Sequence, residues 1–154
     1  MAFEFYVTID GAQGRIKGEA DYTGHVGKIP GRYFRSRLAV PRDGAAGQKR
    51  KHEPLTFRKQ VGLSSPRLLA ALCSGELLTS VLFEFIHRAK DGQETVGFTI
   101  KLTDATICGH TLVSPEVTQG TGVLEEEIEM TARRITWESK GADGVVKATD
   151  DWSK

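Results

Sequence analysis

The stretch Val81-Leu-Phe-Glu-Phe-Ile-His-Arg-Ala-Lys-Asp-Gly-Gln-Glu-Thr-Val-Gly-Phe-Thr-Ile-Lys-Leu102 decides the fold class. Val81, Phe83 and Phe85 alternate with Leu82, Glu84, Ile86 and Arg88, and Val96, Phe98, Ile100 and Leu102 alternate beyond a central Asp91-Gly92. A period of two on either side of a tight-turn pair predicts an antiparallel β-hairpin. Working outward, Phe3, Phe5, Val7 and Ile9 alternate with Glu4, Tyr6, Thr8 and Asp10, a half-buried strand at the amino end. Further strands are predicted near 31–40, where Phe34, Ser36 and Leu38 alternate with Tyr33, Arg35 and Arg37, and at Leu55, Phe57 and Val61. The hairpin's second strand is predicted to run on through Ala105 and Ile107.

A last long strand carries Ile128, Met130 and Ala132, then changes phase to Ile135 and Trp137. A one-residue slip predicts a bulge that bends the strand. The single helix, about 64–74, starts at Ser64-Ser-Pro66 and stops at Ser74-Gly75. Serine caps and an early proline open helices, and glycine closes them in the left-handed region. Leu68, Leu69 and Leu72 form its apolar stripe, which must pack on the sheet because so short a helix is marginal alone. Pro41 to Lys51, with Gly, Pro and charge but no apolar period, reads as an extended loop. The expected architecture is mainly β: one domain over 1–154, a small β-barrel or sandwich of antiparallel strands with the helix beside it.

With 154 residues, 27% charged and 39% hydrophobic, the chain can bury a continuous core without a disulfide or metal staple. No segment approaches the ~20 apolar residues of a membrane span. The start Met1-Ala-Phe-Glu-Phe-Tyr6 lacks the basic head and apolar run of a signal peptide, so a cytoplasmic origin is expected. Cys73 and Cys108 are too few for a disulfide framework and are expected to be small buried thiols.

Most catalytic chemistries are absent from the sequence. Cys73, Cys108, His25, His52, His87 and His110 lack metal-ligand spacing, and neither cysteine sits in a nucleophile signature. No dinucleotide or phosphate-loop glycine motif occurs. Neither a metal, nor another cofactor, nor a catalytic residue is expected. Net charge is +1, yet Lys28 to Lys59 holds ten basic and two acidic residues, and the remainder eleven basic and eighteen acidic. These local balances of +8 and −7 suit either a polyanion or a second copy of the same chain.

The ordered set of segments resembles the Hcp family. It comprises Ala2-Phe-Glu-Phe-Tyr-Val-Thr-Ile-Asp-Gly11 and Ile16-Lys-Gly-Glu19; His52-Glu-Pro-Leu-Thr-Phe-Arg-Lys59 and Ser64-Ser-Pro66; and Leu69-Ala-Ala-Leu-Cys-Ser-Gly-Glu76 and Phe98-Thr-Ile-Lys-Leu-Thr-Asp-Ala105. Leu124 with Glu125, Ile135-Thr-Trp137 and Ala148-Thr-Asp-Asp-Trp152 complete it. The segment Asp21 to Pro30 departs from the family pattern, so no cargo-contacting residue is carried over.

The resemblance implies a non-enzymatic tube subunit of the bacterial type VI secretion system. Its hexameric rings stack into a hollow tube that carries effectors, meets a spike protein and is expelled by a contractile sheath. A phage-like tail tube protein, or a small nucleic-acid-binding barrel built on Lys49-Arg-Lys51, Arg32, Arg35 and Arg37, are the alternatives. For ring stacking, the charge split points to Arg42, Lys49, Arg50 and Lys51 of the loop against Glu125, Glu126, Glu127 and Glu129 of a neighbouring ring.

Overall fold

The computed structural model describes residues 4–40, 50–114 and 123–152. In chain order the elements are β1 (Glu4–Gly11), β2 (Gly14–Ile16), β3 (Ile29–Gly31), β4 (Tyr33–Arg35), β5 (Leu38–Ala39), β6 (Lys51–His52), β7 (Leu55–Gln60), α1 (Ser65–Ser74), β8 (Leu78–Arg88), β9 (Glu94–Val113), β10 (Glu125–Gly141) and β11 (Gly144–Asp151). Nine strands form one antiparallel sheet in the order β2-β1-β8-β9-β10-β7-β4, with β3 added to β1 and β11 to β10. The β5 and β6 strands make a separate pair.

The expected mainly-β architecture is present, but the ladder does not close into a barrel. Instead one segment spans the gap between its edges: Ile29–Gly31 pairs with β1, and Tyr33–Arg35 pairs with β7. Arg32, between them, donates its backbone N–H to the Arg58 carbonyl at 2.9 Å. The zone read as one strand over 31–40 is thus broken, because its backbone changes partners at Arg32.

The predicted hairpin is β8 and β9, paired from Leu78↔Ala105 to Arg88↔Glu94 with one register shift between Phe85 and Ile86, where Gly97 is the extra residue. Gly92 closes it at φ 84, and Asp91 Oδ1 accepts from the Gln93 N–H at 3.0 Å. The phase change at Ile135 is real, and it occurs in both strands of the β9–β10 pair. Leu102 and Ala105 are both buried on β9, as Met130 and Ile135 are on β10, although each pair is an odd number of residues apart. Asp104, at φ 53, and Arg133 stand at the slip and pair at 3.0 Å. Aspartate tolerates that left-handed backbone better than most residues. The one-residue bulge that shifts register lies earlier, between Glu129 and Met130, where Cys108 is the extra residue on β9.

The helix begins one residue later than predicted, and its cap differs in kind. Ser64 occupies the N-cap position but makes no side-chain bond to the helix; its hydroxyl donates to Glu19 Oε1 at 2.5 Å. Gly75 ends the helix at φ 66, as the sequence predicts. Leu68 and Ala71 face the core while Leu69 and Leu72 are half-buried. Cys73 and Cys108 are both exposed, against expectation: Cys73 lies off the buried helical face, and Cys108 is turned outward by the bulge.

The main core lies on one face of the sheet. Phe5, Phe57 and Phe83 are fully buried, Phe34 and Phe85 pack on them, and ring centroids in the group are 5.0–6.5 Å apart. Edge-to-face and tilted contacts of this kind add to plain burial. On the opposite face Tyr6, Ala20 and Ile86 form a smaller cluster beneath residues 17–28. β11, for which the sequence predicts no strand, pairs with β10 from Arg134↔Asp151 to Gly141↔Gly144. Six of its eight residues are exposed, so it carries no alternation to read.

Candidate assembly surfaces

Of the residues expected to face each other across two rings, Arg50, Glu126 and Glu127 are engaged within the chain. Glu126 is fully buried, in phase with Ile128 and Met130 on β10. Directly across from it on β7 stands Lys59, also fully buried. Lys59 Nζ lies 2.8 Å from Glu126 Oε2 and 3.0 Å from Glu19 Oε1. His110 Nε2 lies 2.9 Å from Glu126 Oε1, and the Ser65 hydroxyl also donates to Glu126. Burial pushes the Glu126 carboxyl up, but the hydrogen bonds from Lys59, Ser65 and His110 outweigh it and hold the group below its ordinary range. Glu126 is therefore no surface contact. It is the centre of an ionic cluster that ties β7, β9, β10 and the start of α1 together.

Glu127 pairs with Arg58 at 2.6 Å, and Arg58 lies over the Tyr33 ring at 4.6 Å. Glu125 and Glu129 are half-buried. Arg42 and Lys49 fall outside the described residues, whereas Lys51 is exposed on β6. Arg50 forms a two-pronged contact with Asp150, at 2.8 Å from Nε and 2.7 Å from Nη2, and donates to the Asp151 carbonyl at 3.2 Å. His52 Nε2 is 2.7 Å from the same carboxylate, and its ring stacks on Trp152 at 4.5 Å.

This lock fastens β6 to the end of β11. The hydrogen bonds from Arg50 and then His52 depress the Asp150 pKa to about 2. A carboxylate depressed on folding contributes stability above its unfolded pKa and loses it as pH falls through the folded value. The contribution is thus complete above about pH 4 and disappears toward pH 2. Asp150→Asn should reproduce the acid effect at neutral pH, costing about 1–2 kcal/mol. Fluorescence of Trp152 in a Trp137→Phe background checks this: the substitution should bring the acid-form signal to pH 7, and an unchanged spectrum would refute the lock.

Six of the large exposed apolar residues fall at two separated places, while others, Tyr22, Val26, Leu38 and Leu77 among them, belong to neither. Leu112, Val113 and Leu124 lie at one end of the β9–β10 ladder, where Val113 pairs with Glu125 and the Val61 N–H bonds the Leu124 carbonyl at 3.0 Å. Phe98, Val145 and Val146 lie at the other, where Phe98 pairs with Ser139. Fourteen strand steps from Glu125 to Ser139 put these ends about 45 Å apart along the strand. No local pattern signals these patches, since each joins residues distant in the chain. Among the described residues no group of three or more His, Cys, Asp or Glu could hold a metal ion, and no helix is long and apolar enough to cross a membrane.

A family model described as "Type VI secretion system effector, Hcp" matches residues 6–138. The chain is 32% identical to the "Major exported protein" of Pseudomonas aeruginosa, over 99% of this chain and 96% of that protein. Among solved structures it is similar to an Hcp protein at TM-score 0.88 with 28% identity, covering 99% of both chains. It also resembles Hcp1 of Escherichia coli EAEC 042 at TM-score 0.84 and 27% identity, covering 96% of this chain and 97% of that one. Hcp3 of Pseudomonas aeruginosa aligns at TM-score 0.80 and 28% identity, covering 98% and 99%. The matched length and the shared sheet agree with the ordered segments read from the sequence: the chain belongs to the Hcp family, the structural, non-enzymatic tube proteins of the type VI secretion system.

Proposed function

We propose that six copies of this chain close into a ring, that rings stack into a tube, and that the tube passes out of the cell carrying effector cargo, in contact with a spike protein and driven by a contractile sheath. The subunit is made in the cytoplasm and exported by this machine, in keeping with the name of its Pseudomonas relative. The observation that carries the reading is the pair of unlike apolar ends. Leu112, Val113 and Leu124 at one end and Phe98, Val145 and Val146 at the other suit a head-to-tail contact between neighbours. A heterologous contact of that kind generates a ring when its rotation closes. The largely exposed β11, which among the described residues pairs only with β10, adds a strand edge for a neighbour to cover.

Stacking draws on the charge split, with Arg42, Lys49 and Lys51 facing Glu125 and Glu129 of the next ring. Arg50, Glu126 and Glu127 leave this set because each is neutralised inside its own subunit. Negative-stain microscopy with size-exclusion chromatography tests both levels. The double variant Val145→Asp/Val146→Asp should give folded monomers without annuli. Lys51→Glu should leave annuli intact but reduce stacking at low salt. Annuli as abundant in the double variant as in the unaltered protein would refute the ring contact.

A further inference from the structure

The β5 and β6 strands stand apart from the main sheet. They pair with each other through Leu38↔His52 and Ala39↔Lys51, and among the described residues neither pairs with the nine-stranded sheet. A two-stranded ribbon has little stability of its own in water. Side chains fasten this one to the body of the molecule. Arg50 donates to both oxygens of Asp150, at 2.8 and 2.7 Å, and His52 Nε2 lies 2.7 Å from Oδ2 of the same carboxylate. Asp150 stands across from buried Ile135. The His52 side chain is only 5% exposed, and its ring stacks on Trp152. Trp152 is itself tied down: its N–H donates to the Arg133 carbonyl at 2.6 Å, and its ring packs against the main core.

The residue between the two anchors is Lys51. In extended backbone consecutive side chains point to opposite sides. With Arg50 and His52 both turned toward Asp150, the Lys51 side chain is turned away from it. Lys51 is exposed and makes no ion pair with another described residue. Its direction is thus set by its neighbours' contacts and not by one of its own. A cation whose backbone is already fixed gives up less freedom when it meets a partner.

We propose that Asp150 is the positioning residue of the stacking contact: it holds Arg50 and His52 inward and thereby presents Lys51 to the acidic surface of a second copy. This rests on the reading that Lys51 faces Glu125 and Glu129 of the next ring. Asp150 lies near one end of β11, and Val145 and Val146 of the ring contact lie near the other. The five strand steps from Val145 to Asp150, about 17 Å, keep the two contacts apart, so ring closure does not need the carboxylate.

Negative-stain microscopy and sedimentation of the full chain at low salt test the role with Lys51→Ala, Asp150→Asn and the two combined. Lys51→Ala should lower the fraction of rings found in stacks by about fivefold. Asp150→Asn should give the same loss with annuli intact, and the combined variant should lose no more than either alone, because both act through one cation. A merely loosened fold would add its own loss to that of Lys51→Ala. Arg50→Gln opens the same contact without touching β11 and should match Asp150→Asn; should Asp150→Asn fail to form annuli, Arg50→Gln decides. Unchanged stacking in Lys51→Ala would overturn the stacking reading and this proposal with it. Stacking lost in Lys51→Ala but full in Asp150→Asn and Arg50→Gln, or an additive loss in the combined variant, would overturn the positioning role alone.

Discussion

Glu126→Ala should be among the most destabilising single substitutions in the chain, by about 3–5 kcal/mol, with most of the loss recovered when Lys59 is replaced as well. Lys59 and Glu126 face each other across β7 and β10, and both are fully buried. A buried ion pair is not in itself a large source of stability, since desolvation offsets its attraction. Removing one partner is different, because it strands the other charge. Glu19 still reaches Lys59 at 3.0 Å, so the loss should fall toward the lower end of that range. His110 and Ser65 would lose their shared acceptor at the same time. Chemical denaturation of Glu126→Ala, Lys59→Met and Glu126→Ala/Lys59→Met at equal protein concentration gives the coupling directly. The double variant should lie well above either single one. A strictly additive loss would mean that the pair does not act as a unit.

The same cluster shows what the sequence exposes and what it conceals. Lys59 stands two residues beyond Phe57 and Glu126 two before Ile128, so strand periodicity alone assigns both to the inward face. The concealed step is that these positions meet, since Glu126↔Lys59 joins residues 67 apart through a pairing no local pattern specifies. Treating Glu126 as a surface acid follows from composition and fails on phase. Local signals fared better. Asp91-Gly92 and Ser74-Gly75 each act over a few residues, and turn and helix end lie where those residues predict. The broken segment at 29–35 and the exposed β11 escaped because one changes partners mid-run and the other has almost no inward side. Of the assembly surface, only the charge asymmetry was legible, and half of that asymmetry is spent on contacts such as Arg50–Asp150.

Phe83→Ala should cost about 3–5 kcal/mol, the range for emptying a fully buried aromatic site. Its ring is fully buried on the central strand β8, at 6.2 Å from Phe5, 5.2 Å from Phe34 and 5.4 Å from Phe57. These partners belong to β1, β4 and β7, two regions that sheet pairing alone leaves apart. The aromatic group is thus what draws the open sheet round on itself, a task the unclosed ladder does not perform. For a chain of this size the loss corresponds to a melting temperature lower by about 8–15 °C. Phe83→Leu, which keeps most of the volume, should lose less than half as much. Because β1 and β7 flank the gap that residues 29–35 span, the alanine variant should also speed amide exchange at Arg32, whose N–H bonds the Arg58 carbonyl. If exchange there stays at its original rate while global stability falls, the edges are joined by something other than this core.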